Sequence, residues 1–204
     1  MQSQMDALTI FLVDDDDDFR DSLSWLLEST NHPIRAFDSG EQFLERYRGE
    51  PGCLLLDIRM PGISGLALQQ ELIKRGHRLP IIVITGHGDI PMAVTAIKNG
   101  AVDFIEKPFD DQVLLNHVEK ALGLARDWFT QQQAQQQVNQ NWNSLSKREK
   151  QVMELVVAGH PNKAIAEKLE ISPKTVEVHR ARVMSKMRAD SLPELVKQWQ
   201  QLGR

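Results

Sequence analysis

The sequence predicts an α/β fold, a five-stranded doubly wound parallel sheet, followed by a separate all-helical domain. Three observations carry this. Over the first 125 residues, five short apolar runs bounded by turn signals alternate with amphipathic stretches. A glutamine-rich stretch follows at residues 126–143. From residue 144 onward the apolar residues recur only at helical spacing. The charge balance changes sign at the same place: residues 144–204 carry 12 Lys and Arg against 7 Asp and Glu, a balance of +5, whereas residues 1–143 carry 12 against 21, a balance of −9. An acidic front and a basic back point to two domains with different partners.

The apolar runs at residues 8–13, 33–37, 53–56, 81–84 and 102–105 have strand lengths and are rich in β-branched residues and leucine. Between them, Phe19, Leu23, Leu26 and Leu27 mark one amphipathic helix, Phe43 and Leu44 a second, and Leu66, Leu68 and Leu72 a third. Met92, Val94 and Ile97 mark a fourth, with Pro91 suited to its first turn. A fifth holds Leu114, Leu115, Val118, Leu122 and Ala125. Five strand–helix units imply a parallel sheet covered on both faces, and the unbroken apolar character of residues 8–13 and 81–84 fits strands buried on both sides.

With 204 residues, 41% hydrophobic and 25% charged, the chain has the composition of an ordinary soluble globular protein. It has no apolar stretch long enough for a membrane span and no signal-peptide pattern at residues 1–7, so a cytoplasmic location is expected. The single cysteine, Cys53, precedes Leu54-Leu55-Leu56 and reads as a buried core thiol.

Ligands of open parallel sheets bind at the carboxyl ends of the strands. Asp14 and Asp15 follow the first run, Asp57 the third, Thr85 the fourth and Lys107 the fifth, so all five are expected on one rim. Carboxylates crowded there repel one another and require a cation, and an all-oxygen donor set favours magnesium over zinc. A carboxylate beside such an ion suits nucleophilic attack on phosphorus. Lys107 could then ion-pair with the incoming group and the Thr85 hydroxyl could donate to it. Taken singly, each piece has an ordinary reading. The acidic run 14–18 could be a solvated surface, but Asp16, Asp17 and Asp18 suit a helix cap and first turn. Phe104 alone reads as core, and His87 as a loop residue.

Jointly the pieces are specific. Asp57-Ile58-Arg59-Met60-Pro61-Gly62-Ile63-Ser64-Gly65, with the acidic pair upstream and Glu106-Lys107-Pro108-Phe109 downstream, resembles the receiver domain of two-component response regulators, a flavodoxin-like fold. The resemblance implies Asp57 as phosphoacceptor and Asp14, Asp15, Asp57 and the backbone carbonyl of Arg59 as magnesium ligands. It implies Thr85 and Phe104 as switch residues, and a cis peptide at Lys107-Pro108.

In the glutamine-rich stretch, partial helix is expected, giving way to disorder near residues 139–143. Ser146 and Glu149 then form a capping-box pattern, and Gly159 stops that helix. Asn162 is expected to cap a short helix at 163–169. Ser172 caps the next helix, with Pro173 at its first position. That helix carries Val176, Val183, Met184 and Met187 on one side and Lys174, Thr175, Glu177, His179, Arg180, Arg182 and Lys186 elsewhere. A last helix spans 191–202. A short helix, a turn and a basic amphipathic helix make the helix-turn-helix plan, whose second helix enters the DNA major groove.

Leu145-Ser146, Arg148-Glu149, Asn162-Lys163, Ile165-Ala166 and Ile171-Ser172 with Thr175-Val176 and Val178-His179 resemble the LuxR/GerE-type DNA-binding domain. The whole chain resembles the FixJ branch of the NarL-type regulators. Glu177 departs from the lysine common there, and could accept from a cytosine amino group instead. Thr175, Val178, His179 and Arg182 are expected to face the groove, and Lys163, Lys174, Arg180 and Lys186 the phosphates. The domains expected are 1–125, the linker 126–143, and 144–204. The resemblance implies a sensor histidine kinase, double-stranded DNA half-sites and RNA polymerase as partners, with homodimerisation on phosphorylation through residues 92–104 and activation of transcription. Apart from its own phosphorylation and dephosphorylation, no enzyme activity is expected. Two other readings are a constitutive DNA-binding regulator whose first domain serves only protein contacts, and a magnesium-dependent phosphotransferase. The latter lacks the second aspartate such acid chemistry wants, because Arg59 stands two residues after Asp57.

Overall fold

The computed structural model describes residues 8–86 and 90–203; His87 lies outside the described residues. The chain divides into two compact units, Met1–Phe129 and Thr130–Arg204.

In the first unit, strands β1 (Thr9–Val13), β2 (Ile34–Phe37), β3 (Gly52–Asp57), β4 (Ile81–Thr85) and β5 (Asp103–Glu106) alternate with helices α1 (Asp17–Leu27), α2 (Gly40–Arg46), α3 (Gly65–Lys74), α4 (Ile90–Lys98) and the start of α5 (Asp111–Ser144). The strands pair in parallel in the order β2-β1-β3-β4-β5. Leu12 is level with Ala36 and Leu55, Leu55 with Ile82, and Ile84 with Ile105. The order reverses direction between β1 and β3, which places a crevice at their carboxyl ends.

The two-residue period of a strand explains why the central strands β1, β3 and β4 are apolar between their ends. Phe11, Val13, Leu54, Leu56, Ile81 and Val83 enter one core with Phe43, Leu68, Leu72 and Ala93 from α2, α3 and α4. The intervening Ile10, Leu12, Cys53, Leu55, Ile82 and Ile84 enter the other core with Leu23 and Leu27 of α1 and Leu114, Val118 and Ala121 of α5. A helix layer on each face leaves these central strands no solvated side, whereas the edge strands β2 and β5 keep exposed positions at Ala36 and Phe104.

Helix α5 runs without a break to Ser144. The expected disorder at residues 139–143 is therefore not observed. Trp142 and Asn141 are buried, Val138 and Trp142 belong to the core of the second unit, and Trp142 meets Trp199 edge to face at 5.5 Å. Packing of these large rings outweighs the polar character of the intervening asparagines. Helices α6 (Lys147–Val157), α7 (Asn162–Leu169), α8 (Pro173–Met187) and α9 (Leu192–Gln201) complete this unit around Val152, Met153, Ile165, Val176, Val183, Met187 and Leu195. Ser146 and Glu149 form the expected reciprocal cap, and Ser172 caps α8. Asn162 does not cap α7. Pro161 holds the cap position with no side-chain bond, and the Asn162 side chain instead accepts from Arg180 Nη1 at 2.9 Å.

Candidate functional site: an acidic rim and a helix-turn-helix face

Strand β1 delivers Asp14 and strand β3 delivers Asp57 to the crevice where the sheet order reverses; both are buried, whereas Asp15 is exposed. Lys107, just beyond β5, reaches across β4 to both: its Nζ donates to Asp14 Oδ2 at 2.9 Å and to Asp57 Oδ1 at 3.0 Å. Its own backbone amide donates to the Thr85 carbonyl at 2.8 Å, and the Lys107–Pro108 peptide is cis. The remaining carboxylate oxygens are held by the backbone. Asp16 N donates to Asp14 Oδ1 at 2.9 Å, and Arg59 N to Asp57 Oδ2 at 2.7 Å.

Close packing fixes Asp57 from beneath. A Cβ on Gly65 would lie 2.1 Å from the Asp57 carbonyl oxygen, so only glycine lets α3 begin here. Its amide donates to the Ile58 carbonyl at 3.0 Å, and Ser64 caps the helix.

Burial pushes the Asp57 carboxyl above its ordinary value. Lys107 pulls it back, and Asp14 adds to the upward push. Burial lowers the Lys107 ammonium, but hydrogen bonds from it to Asp14 and Asp57, with their charge, more than reverse this and hold it above its usual value. Two buried carboxylates thus share the Lys107 ammonium.

Among the described residues, no three His, Cys, Asp or Glu side chains form a ready metal cage. Magnesium does not need one, since it keeps several waters and takes one or two carboxylates. The two buried carboxylates and the all-oxygen donors of Asp14 and Asp57 fit such an ion.

Thr85 ends β4 in the buried core, and its hydroxyl donates to the Gly86 carbonyl at 3.2 Å. Phe104 is 37% exposed and lies near Val94 and Ile97 in sequence, which are 44% and 39% exposed. The structure thus gathers Asp14, Asp57 and Lys107 at one rim, and sets Phe104 outward on β5.

Two neighbours escaped the sequence reading. The Arg20 guanidinium donates to the Asp14 carbonyl at 2.7 Å, and the Phe19 ring lies against Lys107. From sequence, Phe19 reads only as the first apolar residue of α1. Its position in the first turn, directly after the acidic run, was the available signal.

In the second unit, α8 turns Lys174, Glu177, Val178, Ala181, Arg182 and Ser185 to solvent. Ala181 and Ser185 were absent from the sequence-derived set, because small neutral residues carry no charge signal. Thr175 is half-buried, and its hydroxyl is tied to Ser172 Oγ at 2.8 Å. His179 is half-buried, and its Nδ1 is enclosed without a protein partner. Lys163 is exposed on α7. Arg180 is engaged by Asn162. Lys186, expected toward phosphates, is instead bonded to Glu149 Oε2 at 2.7 Å and to the Ser144 carbonyl at 3.3 Å. Sequence periodicity places a lysine on a helix face but does not reveal a buried carboxylate on another helix.

A doubly wound sheet with this rim, joined to a helix-turn-helix unit with an exposed α8, defines a class: a receiver coupled to a DNA-binding module. Residues 10–119 match the response regulator receiver domain, and residues 143–198 match the bacterial regulatory proteins of the luxR family. The chain is 49% identical to the transcriptional regulatory protein FixJ of Azorhizobium caulinodans, over 94% of this chain and 92% of that one. It is 45% identical to the response regulator protein TodT of Pseudomonas putida, over 94% and 85% respectively. Among solved structures, the response regulator StyR superposes with a TM-score of 0.87 at 44% identity, covering 95% of this chain and 98% of that one. Full-length FixJ from B. japonicum gives 0.58 at 42% identity, covering 98% of each. The chain belongs to the two-component response regulators of the FixJ type, transcriptional regulators that join a receiver to a LuxR-type DNA-binding domain. No helix among the described residues is long and apolar enough to cross a membrane.

Proposed function

We propose that Asp57 is the residue phosphorylated by a cytoplasmic partner histidine kinase, and that this modification governs dimerisation and promoter binding. One observation carries the reading: the Lys107 ammonium is bonded at once to Asp14 and to Asp57 at the carboxyl edge of the sheet. In the transfer, an Asp57 carboxylate oxygen attacks the phosphorus of a phosphohistidine. The new P–O bond forms as the P–N bond breaks, and the imidazole leaves with the bonding pair and takes up a proton. Lys107 is placed to follow the incoming phosphoryl oxygens, and the backbone amide of Arg59 steadies the carboxylate. Asp14, Asp15, Asp57 and the Arg59 carbonyl would hold a magnesium ion, which would supply positive charge to the phosphoryl oxygens when bound.

The Thr85 hydroxyl, now on the Gly86 carbonyl, then turns to the phosphoryl group. Phe104 moves inward, so that two arrangements of this face exchange. Dimerisation through residues 92–104 places two α8 helices on half-sites about one DNA turn apart. Val178 and Arg182 read bases, with Glu177, Thr175 and His179 beside them. Lys163, Lys174 and Arg180 meet phosphates, and RNA polymerase is the downstream partner in activation.

The test is phosphate incorporation from a small phosphodonor with magnesium, followed by intact mass. Wild-type protein gains one phosphoryl group and Asp57→Asn gains none; incorporation that persists in the variant removes Asp57 from the acceptor role.

A further inference from the structure

We infer that Phe19 is a positioning residue for phosphoryl transfer, acting through Lys107; the inference rests on the acceptor role proposed for Asp57. The Lys107 Nζ lies 3.7 Å from the centroid of the Phe19 ring, over its face. An ammonium has three N–H donors. Two are used on the carboxylates of Asp14 and Asp57. The ring supplies the third side of the pocket, and its negative π-face attracts the cation.

The ring is itself held in place. Phe19 sits in the first turn of α1, where its backbone amide donates to the capping Asp16 Oδ1 at 3.0 Å. Its ring stands edge to face with Phe109, at a centroid distance of 6.2 Å and an interplanar angle of 82°. Phe109 follows Pro108, so the segment that carries Lys107 also braces the ring that receives it. Both rings pack partly into the core of α1 and α5.

A lysine has four rotatable side-chain bonds, and freedom at the ammonium costs reaction rate when the transition state needs a charge at one point. The ring removes that freedom without using a hydrogen bond. The two carboxylate contacts can therefore be exchanged for phosphoryl oxygens while the cation keeps its place. An aliphatic side chain of similar size fills the same space but lacks the π-face.

The experiment replaces Phe19 by phenylalanines carrying one, two and three ring fluorines, in the full-length protein. These keep the ring shape and withdraw its π-charge in steps. The rate of phosphorylation by acetyl phosphate with magnesium is expected to fall progressively, by roughly 3- to 30-fold across the series. Phe19→Leu should match the lowest member, and Phe19→Tyr should restore most of the wild-type rate. A second measurement needs neither metal nor phosphate: the Lys107 side-chain protons nearest the ammonium should be shifted upfield by the ring current, and lose that shift in Phe19→Leu. Wild-type phosphorylation with no trend across the fluorinated series overturns the role of Phe19 and leaves Asp57 standing. Absence of phosphorylation in the wild type overturns the acceptor reading itself.

Discussion

Lys186 Nζ lies 2.7 Å from Glu149 Oε2, and the carboxylate is buried while the ammonium is part-exposed. Glu149 already serves the capping box of α6, where it accepts from the Ser146 amide at 2.8 Å. One side chain therefore ties the start of α6 to the last turn of α8. The hydrogen bond from Lys186 is the main reason the Glu149 carboxyl is lowered from 4.5 to about 2. Burial opposes this, and the Ser146 bonds add to the lowering.

Glu149→Gln is expected to destabilise the DNA-binding unit by about 1–2 kcal/mol, through loss of a charge-assisted bond and a weakened cap. In a double-mutant cycle with Lys186→Met by denaturant unfolding, the two changes should be non-additive. Additive losses would mean that the pair contributes nothing as a pair.

The same carboxylate sets an acid limit. A carboxyl group lowered on folding stabilises the fold at pH values above its unfolded value, and that contribution is lost as pH falls from about 4.5 to about 2. Thermal unfolding followed through this window should show a falling midpoint in the wild type. The pH dependence should be shallower in Glu149→Gln.

Lys174 and Arg182 are exposed on α8, Lys174 beside exposed Glu177 at 3.4 Å, whereas Lys186 is bonded to the buried Glu149. Lys174→Ala is expected to weaken operator binding on all sequences and to reduce the salt slope of affinity by about 1. Arg182→Ala should cost about 1–3 kcal/mol on the operator and relax preference at one base pair. Lys186→Ala should act through unfolding stability. Fluorescence anisotropy at several salt concentrations separates the three.

Val94, Ile97 and Phe104 leave apolar surface exposed on the receiver. Ile97→Glu is expected to leave phosphate incorporation intact and abolish the proposed phosphorylation-dependent dimer, because dimerisation would bury a charge without a partner. Light scattering after treatment with phosphodonor measures this, and a dimer that survives the change places the interface elsewhere.

Burial alone pushes the Cys53 thiol up to about 12, and the side chain is fully enclosed in the core between the sheet and α1. Cys53 should resist thiol reagents at mildly alkaline pH in the folded protein, and labelling should track unfolding of the receiver. Gly65→Ala should speed that labelling. Its methyl group would meet the Asp57 carbonyl, at a cost of about 1–3 kcal/mol.

Local chemistry alone determined the strand–helix alternation, the caps at Asp16, Ser146 and Ser172, and the rim positions of Asp14, Asp57 and Lys107. Each depends on residue type, on short spacing or on the rule that parallel strands present their carboxyl ends together. Tertiary structure alone decided what long side chains do once elements pack. Lys186 turns to Glu149, 37 positions away, Arg180 turns to Asn162, and Lys107 settles against Phe19. Trp142 likewise orders a stretch whose composition reads as a loose tether. A lysine or arginine spans several ångströms with many rotamers, so its partner is chosen by whatever charge or ring the fold brings within reach, and no pattern of neighbours along the chain encodes that choice.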